Sequence, residues 1–345
     1  MLSAAMRPSL PTCPAFGFDA PAAGTGKTLL AKCVAAVGTG TDVPVLPPAQ
    51  EEDECRKRLF AALRGGEKAL LWDNVREPLG NAVIDSFLTS PSFADRVLGV
   101  SETQELPNKA LFLVTGNNLV LTGDTHRRVL KVRLDAEAEQ PFRREFAFDP
   151  LERVIRERQK IVVAALTIIR AYITAGSPRR GQGRTASFEL WDNLVRQPLC
   201  WSREVVSGSG RTDVPEFADP IESITRAESE NPEQTKLSAM LAAWASSFGT
   251  TATTVATAMG EDRMRHVHLF DAMEEIAGQH GKINPRMLGR WIERNAEQRC
   301  GGLRFVRAGK SHGVVLWEVR QTAERAAAGG LGGLGGNKTS KKPPK

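Results

Sequence analysis

The stretch Ala15-Phe-Gly-Phe-Asp-Ala-Pro-Ala-Ala-Gly-Thr-Gly-Lys-Thr28 decides the fold of this chain. An apolar run that predicts a strand over Ala15–Asp19 passes into a glycine-containing loop, and helical spacing begins at Lys27. Glycines allow a tight turn whose backbone N–H groups face inward, and the N-terminus of the following helix adds partial positive charge. A strand, such a loop and a helix in this order predict a phosphate-binding loop.

The predicted phosphate contacts all lie on this loop. We expect Lys27 to reach the β- and γ-phosphates of ATP and the Thr28 hydroxyl to bind Mg²⁺. Pro21 stands where the full pattern begins with glycine, and it removes one N–H donor. The other residues expected to surround the phosphates are Ala22, Ala23, Gly24, Thr25 and Gly26.

Short apolar strands alternate with helical stretches after this loop. The predicted fold class is therefore α/β, a P-loop NTPase (AAA+-like) parallel sheet with flanking helices. The predicted strands are Ala15–Asp19, Val43–Leu46, Ala69–Asp73, Leu111–Thr115 and Val129–Leu134. The predicted helices are Lys27–Val37, Glu51–Leu63 and Asn81–Leu88.

Polar residues end two of these strands, where a nucleotide site needs them. Asp73 beside a phosphate loop is expected to hold Mg²⁺ together with Thr28, directly or through water. Asn117 and Asn118 follow another apolar strand, and either amide is expected to contact the γ-phosphate or the attacking water. The sequence leaves the choice between these two amides open.

Two adjacent arginines, Arg127 and Arg128, precede the strand Val129–Leu134. A guanidinium here is suited to stabilise charge on a transferring phosphoryl group, as an arginine finger does. A finger at this place normally reaches the ATP of a neighbouring subunit, so the pair predicts a ring. Either arginine fits the role.

The order of phosphate loop, acidic strand end, Asn-tipped strand and arginine pair resembles the AAA+ core. More closely, the first half of the chain resembles the superfamily 3-type helicase domain in primase–helicase proteins of phages, plasmids and integrated elements. The segments that carry this likeness are Phe18–Ala31, Leu70–Gly80 and Leu88–Arg133, which contains Asp95-Arg96-Val-Leu-Gly99.

This resemblance implies a homo-hexameric ring that moves along single-stranded or forked DNA by hydrolysing ATP. It also implies roles for residues that match by position. Lys27 and Thr28 would hold phosphate and Mg²⁺, and Asp73 would be the second-motif acid. The sensor would be Asn117 or Asn118, and the finger would be Arg127 or Arg128.

Departures from the family pattern bear on hydrolysis and on domain content. Many AAA+ ATPases carry, just after the acid, a Glu that orients the attacking water, but Asn74 stands there. Glu77 and Asp85 are candidate substitutes. The phosphate loop begins near residue 20, so we expect the primase part to be absent and a separate primase to be a partner.

The C-terminal part predicts a small winged-helix-like module that binds DNA. One helix covers Leu269–Ile276, a second runs from Pro285 to about Gln298, and two short strands, Leu303–Val306 and Val314–Trp317, are joined by Arg-Ala-Gly-Lys-Ser-His-Gly. The expected phosphate contacts are Arg286, Arg290 and Arg294 on the helix and Arg307 and Lys310 near the hairpin tip. The alternative is a protein-docking domain with a solvated basic face.

These elements divide the 345 residues into four predicted regions: 14–149, the ATPase core; 150–262, a helical middle region; 263–320, the winged-helix-like module; and 321–345, a disordered Gly/Lys-rich tail. The net charge of +6 favours a polyanionic partner. Five scattered cysteines form no metal or disulfide framework, and no apolar run is long enough to span a bilayer. We therefore expect a cytoplasmic location and no membrane partner.

Three functions fit this sequence. The first is an ATP-driven DNA motor, a replicative helicase of a phage or other mobile element. The second is an initiator or loader that uses ATP as a switch without unwinding, which Asn74 favours. The third is a DNA-binding regulator with a degenerate nucleotide site.

Overall fold

A computed structural model of the chain describes residues 1–49, 51–97, 102–138, 140–144, 146–210, 217–229, 232–279 and 281–322. The chain divides into two units, Met1–Asn231 and Pro232–Lys345, and each is described by itself. The boundary between the units falls inside the predicted helical middle region, 150–262, and the four predicted regions stay predictions.

The first unit has seven strands among its described residues: β1 (Ala15–Ala20), β2 (Val45–Leu46), β3 (Ala69–Val75), β4 (Ser92–Arg96), β5 (Thr103–Pro107), β6 (Leu111–Asn117) and β7 (Val129–Arg133). Five of them form a wholly parallel sheet at the centre of the unit, in the order β2-β3-β6-β1-β7. The predicted parallel sheet with flanking helices is thereby confirmed. The other two form a separate antiparallel hairpin, β4–β5, which was not predicted.

The three helices predicted next to the sheet are also present, with ends that differ by one or two residues. A long fifth helix packs against the helix that follows the phosphate loop. The helices of this unit are α1 (Leu2–Met6), α2 (Lys27–Thr39), α3 (Glu52–Arg64), α4 (Ala82–Thr89), α5 (Pro150–Thr174), α6 (Glu189–Trp191), α7 (Gln197–Gly208) and α8 (Glu222–Ser229). Short 3-10 segments cover Gly123–Arg127 and Pro141–Arg143, and a π-helical turn, Asp192–Arg196, joins α6 to α7.

Apolar side chains on the central strands hold the sheet to its helices. β6 is buried along six of its seven residues, as expected for a strand covered on both faces. Trp72 on β3 and Phe87 on α4 both pack edge-on against Phe112, with ring centroids 5.0 and 5.9 Å away. Burial of a large apolar side chain stabilises a fold by roughly 1.5–3 kcal/mol, so this cluster fixes the strands that carry the site.

The second unit is a helical module with an antiparallel hairpin. Its core contains Trp244, Trp291 and Trp317, and Thr253 pairs in an antiparallel bridge with Trp317 on the last strand. The elements are α9 (Pro232–Phe248), α10 (Val255–Met259), α11 (Val267–Ala277), β8 (Gly278–Gln279), β9 (Lys282–Ile283), α12 (Pro285–Arg294), β10 (Leu303–Ser311) and β11 (Val314–Gln321).

Two sequence predictions in this unit are wrong in their bounds. The helix expected to reach Gln298 ends at Arg294, and Glu297 has a φ of 65° that a helix does not tolerate. The seven-residue connection expected from Arg307 to Gly313 is mostly strand. β10 continues to Ser311, and the turn is made at His312 and Gly313, which both have positive φ.

Some predictions fall outside the described residues. They concern Leu98 and Gly99 of the quoted segment, residues 211–216 of the predicted middle region, and the tail from residue 323 onward. Among the helices of the described residues, none has the length and apolar character that a bilayer span requires.

Candidate functional site

The predicted phosphate loop joins the carboxyl end of β1 to the start of α2. Gly24 and Gly26 have φ of +77° and +91°, in the left-handed region that glycine adopts without a steric penalty. Gly26 is the N-cap residue of α2, so the first turn of that helix opens directly onto the loop. The backbone therefore has the shape, and the helix N-terminus, that an anion site uses.

The Lys27 ammonium lies inside this loop. Its Nζ donates to the carbonyl of Ala22 at 2.9 Å and to Oγ1 of Thr25 at 3.1 Å, and the residue is only 8% exposed. Burial lowers the pKa of Lys27, while the nearby carboxylates Asp19 and Asp73 oppose that shift. The positive charge is thus held within reach of whatever the loop encloses.

Thr28 and Asp73 are brought together, as the Mg²⁺ prediction requires. Oγ1 of Thr28 donates to Oδ1 of Asp73 at 2.6 Å across 45 residues of sequence. The hydroxyl of Thr115, on the neighbouring strand β6, donates to the same carboxylate oxygen. A hydroxyl and a carboxylate are hard oxygen donors, which suit Mg²⁺ when phosphate oxygens and water complete its shell.

Asn74 lies at a β-bulge. The register between β3 and β6 shifts between Trp72 and Val75, and Asn74 adopts a φ of 57°. Its backbone N–H donates to Oγ1 of Thr115 at 3.0 Å. A bulge re-aims the side chains next to it, so the backbone at Asn74 sets the direction of Asp73.

The alternative acids proposed for the missing Glu differ in their surroundings. Asp85 lies on α4, accepts from Oγ1 of Thr125 at 2.8 Å and pairs with Arg128, and burial raises its pKa. Glu77 is exposed and lines a cavity of about 160 Å³ with Asn81. No contact of either acid with Asp73 is recorded within the described residues.

Asn117 and Asn118 lie beside the end of the phosphate-loop strand. Asn117 pairs in register with Ala20, and the backbone N–H of Asn118 donates to the Ala20 carbonyl at 3.1 Å. Both side chains are exposed at this edge, and Oδ1 of Asn118 accepts from Arg133 at 3.3 Å. The side chain of Asn117 makes no such hydrogen bond among the described residues, so it is freer than that of Asn118 to contact a ligand.

A buried carboxylate that the sequence reasoning missed joins these strand ends. Asp19 is fully buried; it accepts from the backbone N–H of Leu119 at 2.8 Å and pairs with Arg133 and with Lys131, the latter at 3.5 Å. A buried charge needs such partners. Through these contacts Asp19 fixes the turn after β6 and the end of β7 to β1, the strand that enters the phosphate loop. The sequence feature that could have indicated this role is an aspartate inside an otherwise apolar strand.

The arginine pair lies at the opposite edge of the sheet. The carbonyl of Arg128 accepts from the N–H of Ala15, the first residue of β1. Arg127 is bound to both carboxylate oxygens of Asp124, and this bond lowers the pKa of Asp124. Arg128 also binds Asp124 and donates to the Asp85 carbonyl at 2.6 Å. The structure thus keeps both arginines away from the phosphate loop of their own chain.

A short segment that the sequence reasoning did not single out lies on the phosphate loop. Phe142 contacts Gly24, and Nη2 of Arg144 donates to the carbonyl of Thr25 at 3.3 Å. Nothing local in the sequence indicates these contacts, because more than a hundred residues separate the partners.

The predicted nucleic-acid contacts of the second unit fall into two groups. Arg286, Arg290 and Arg294 are exposed along α12, four residues apart, and no ion pair joins them to any described residue. Arg307 is paired with Glu293 of the same helix and lies over the Trp317 ring. Lys310 is exposed on β10, three residues before Gly313.

The first unit therefore brings a loop lysine, a hydroxyl, a carboxylate and strand-end amides to one edge of a parallel sheet. Ligands of open parallel sheets bind outside the carboxyl ends of the strands. Such an arrangement can bind a nucleotide's phosphates and Mg²⁺ and can polarise the terminal phosphate. The roles assigned to these residues from the sequence stay predictions.

No family model matches the chain, and no curated protein matches it. The chain is similar to the solved structure titled "The A form apo structure of NrS-1 C terminal region-CTR", with 11% sequence identity and a TM-score of 0.40. The aligned region covers 92% of this chain and 70% of the chain in that structure. A second structure, titled "The A form apo structure of NrS-1 C terminal region-CTR(305-718)", has 9% sequence identity and a TM-score of 0.38. The aligned region covers 92% of this chain and 69% of the chain in that structure.

Proposed function

We propose that this protein is a P-loop ATPase of the AAA+ type that binds MgATP between Lys27, Thr28 and Asp73 and acts on DNA. The observation that carries the proposal is the contact of Thr28 with Asp73, next to the buried Lys27 ammonium. Two residues 45 positions apart in sequence, both predicted as Mg²⁺ ligands of one site, have side-chain oxygens 2.6 Å apart.

In this proposal the chain supplies positioning and charge. The loop N–H groups and Lys27 bind the phosphates, while Thr28 and Asp73 hold Mg²⁺, which neutralises charge on the transferring phosphoryl group. Asn117 orients the attacking water or contacts the γ-phosphate. The energy of hydrolysis drives movement along single-stranded or forked DNA, as in a replicative helicase of a phage or other mobile element working as a hexameric ring.

The DNA part of the proposal is supported by the second unit. Helices α10, α11 and α12 precede the hairpin β10–β11, and the Thr253–Trp317 bridge adds a third strand position. This order fits a winged helix, in which α12 is the helix that enters a groove. Its arginines Arg290 and Arg294 are exposed and available to phosphates.

A second function, an ATP-switched loader or initiator, is favoured by one observation. Asn74 stands where a general base is expected, and Asp85, a candidate substitute, is already bound to Thr125 and Arg128. A site of this kind binds ATP firmly and hydrolyses it slowly. Strand displacement on forked DNA separates the two functions, because only a motor unwinds.

The test is steady-state MgATP hydrolysis with and without single-stranded DNA, for the wild type, Lys27→Ala and Asp73→Ala. We expect each substitution to lower turnover by about 100-fold or more, since Lys27→Ala removes a cation from the phosphates and Asp73→Ala removes a ligand of the Mg²⁺ that neutralises them. Lys32→Ala is the matched control, because it removes a lysine of the same helix whose partner is Asp42, and we expect a change of about twofold or less.

Binding measurements with the same variants complete the test. Asp73→Ala should keep part of its affinity for ATP, whereas Lys27→Ala should lose most of it. A wild type that binds no nucleotide, or a Lys27→Ala variant with unchanged ATP affinity, would refute the nucleotide site.

A further inference from the structure

Residues Pro141–Arg144 are seated on the phosphate loop. A Cβ atom added to Gly24 would lie 2.7 Å from Cβ of Phe142 and 3.1 Å from its backbone, so only glycine permits this approach. Nη2 of Arg144 donates to the Thr25 carbonyl at 3.3 Å. The segment therefore contacts two consecutive residues of the loop, and it does so across 119 residues of sequence.

Two cations converge on Thr25. Lys27 donates to the hydroxyl of this residue at 3.1 Å, and Arg144 donates to its carbonyl. Within the described residues, no ion pair joins Arg144 to a carboxylate, and its other recorded partner is the Phe146 ring, 5.4 Å from the guanidinium carbon. Asp19 and Asp73 lie near Lys27, whereas no described carboxylate pairs with Arg144, so an anion bound at the loop supplies this guanidinium with a counter-charge.

The chemistry of Arg144 identifies that anion. A guanidinium presents a planar set of donors that matches two phosphate oxygens at once, which an ammonium does not. The other candidate arginines, Arg127 and Arg128, are bound to Asp124 at the opposite edge of the sheet. Among the described arginines, Arg144 is the one recorded in a bond to the phosphate loop.

We propose that Arg144 binds the terminal phosphate of a nucleoside triphosphate held by the phosphate loop of the same chain. The inference rests on the nucleotide site proposed above and adds a residue that distinguishes triphosphate from diphosphate. Arg144 exchanges its bond to the Thr25 carbonyl for bonds to phosphate oxygens. A diphosphate lacks the terminal group, so it gains little from this contact.

The test compares the affinities of the full chain for ATPγS and for ADP, both with Mg²⁺, by isothermal titration calorimetry. Arg144→Ala is expected to weaken ATPγS binding by about tenfold or more, the size of a lost charged hydrogen bond, and ADP binding by about twofold or less. Arg144→Lys keeps the charge without the planar donors and should fall between the wild type and Arg144→Ala.

Arg143→Ala is the matched control. It removes the adjacent arginine, whose recorded partner is the Phe142 ring at 6.0 Å, and it should leave both affinities unchanged. Thermal unfolding of each variant identifies any that fails to fold, in which case Arg144→Lys alone carries the comparison.

Equal losses for ATPγS and ADP would overturn the proposal, since they would make Arg144 a support of the loop. Unchanged binding in both Arg144 variants would also overturn it. A different failure belongs to the nucleotide site itself: a wild type that binds neither ATPγS nor ADP refutes that site, and the role of Arg144 with it. The proposal stands only when the wild type binds both and Arg144→Ala loses ATPγS selectively.

Discussion

Asn74 has a structural reason that the sequence does not show. Its φ of 57° lies in the left-handed region, which Asn and Gly occupy more readily than Glu does. The bulge at this residue lets its N–H bind Thr115, whose hydroxyl in turn binds Asp73. Asn at this position, in place of the Glu that the sequence resemblance implies, is therefore tied to the backbone that directs Asp73 toward Thr28.

Two small substitutions at residue 74 should therefore have different outcomes. Asn74→Ala should lower the free energy of unfolding by about 1 kcal/mol, because alanine tolerates a positive φ poorly, and Asn74→Gly should be close to the wild type. Urea unfolding measures both. MgATP turnover should follow the same order, because a relaxed bulge turns Asp73 away from Thr28.

The control for this comparison is Arg76→Ala, a change at an exposed residue of the same connection to which no role in the site is assigned. It should alter neither stability nor turnover appreciably. If Asn74→Ala and Asn74→Gly are equally stable and equally active, the backbone at this position does not direct the carboxylate.

Residues of the site differ in how far the sequence could reveal them. Lys27 and Thr28 belong to one short motif, and Asp73 ends an apolar strand, so local patterns suffice for them. The contacts of Asp19, Thr115 and Arg144 depend on which strands are neighbours and on a segment folding back over the loop. Such contacts depend on the chain's path in space, so periodicity and motifs do not reveal them.

At the scale of elements, the sequence predicted what is buried better than what is exposed. The three central strands, β1, β3 and β6, are largely apolar because helices cover them, and all five strands of the sheet were predicted. The hairpin β4–β5 was missed because it lies outside the main sheet and carries alternating exposed residues. β10 was predicted too short for a related reason, since Gly309 and Lys310 are exposed although the backbone is extended.

Helix α12 is the element that we expect to contact DNA. Arg290 and Arg294 are exposed without an ion pair to any described residue, whereas Arg307 is already bound to Glu293. Arg290→Ala/Arg294→Ala should therefore weaken binding to duplex and single-stranded DNA regardless of sequence. The plot of log affinity against log salt should become shallower by roughly two units, about one for each lost phosphate contact.

A double variant elsewhere in the same unit provides the charge control for this titration. Arg263→Ala/Arg320→Ala removes two positive charges whose side chains pair with Glu274 and Glu318. Its salt slope should stay that of the wild type. Superimposable curves for the wild type and the α12 variant would instead favour a protein-docking surface on this helix.

At the scale of the whole molecule, the two edges of the sheet have different functions in the proposed ring. Lys27 and Asp73 lie at the carboxyl edge, and Arg127 and Arg128 lie at the amino edge, beside the start of β1. A six-residue strand spans roughly 20 Å, which exceeds the reach of an arginine side chain. An arginine finger from this pair would therefore act on the ATP of a neighbouring subunit.

The structure also favours one of the two arginines for that role. Arg128 is 12% exposed and is held by the Asp85 carbonyl as well as by Asp124, so its loss should lower the midpoint of thermal unfolding. The side chain of Arg127 is 36% exposed, and its recorded partner is Asp124. Arg127 can thus exchange one ion pair for a phosphate without disturbing α4.

We therefore expect Arg127→Ala to lower MgATP turnover while it leaves ATP affinity and thermal stability nearly unchanged. Arg58→Ala is the matched control, because Arg58 is 34% exposed and also pairs with one acid, Glu54.

Mixing Arg127→Ala with Lys27→Ala should restore part of the turnover. At such an interface the second variant supplies the finger and the first supplies the intact loop. Native mass spectrometry with ATP and DNA measures the assembly directly. A chain that stays monomeric under these conditions and hydrolyses ATP at the full rate would contradict both the ring and the finger in trans.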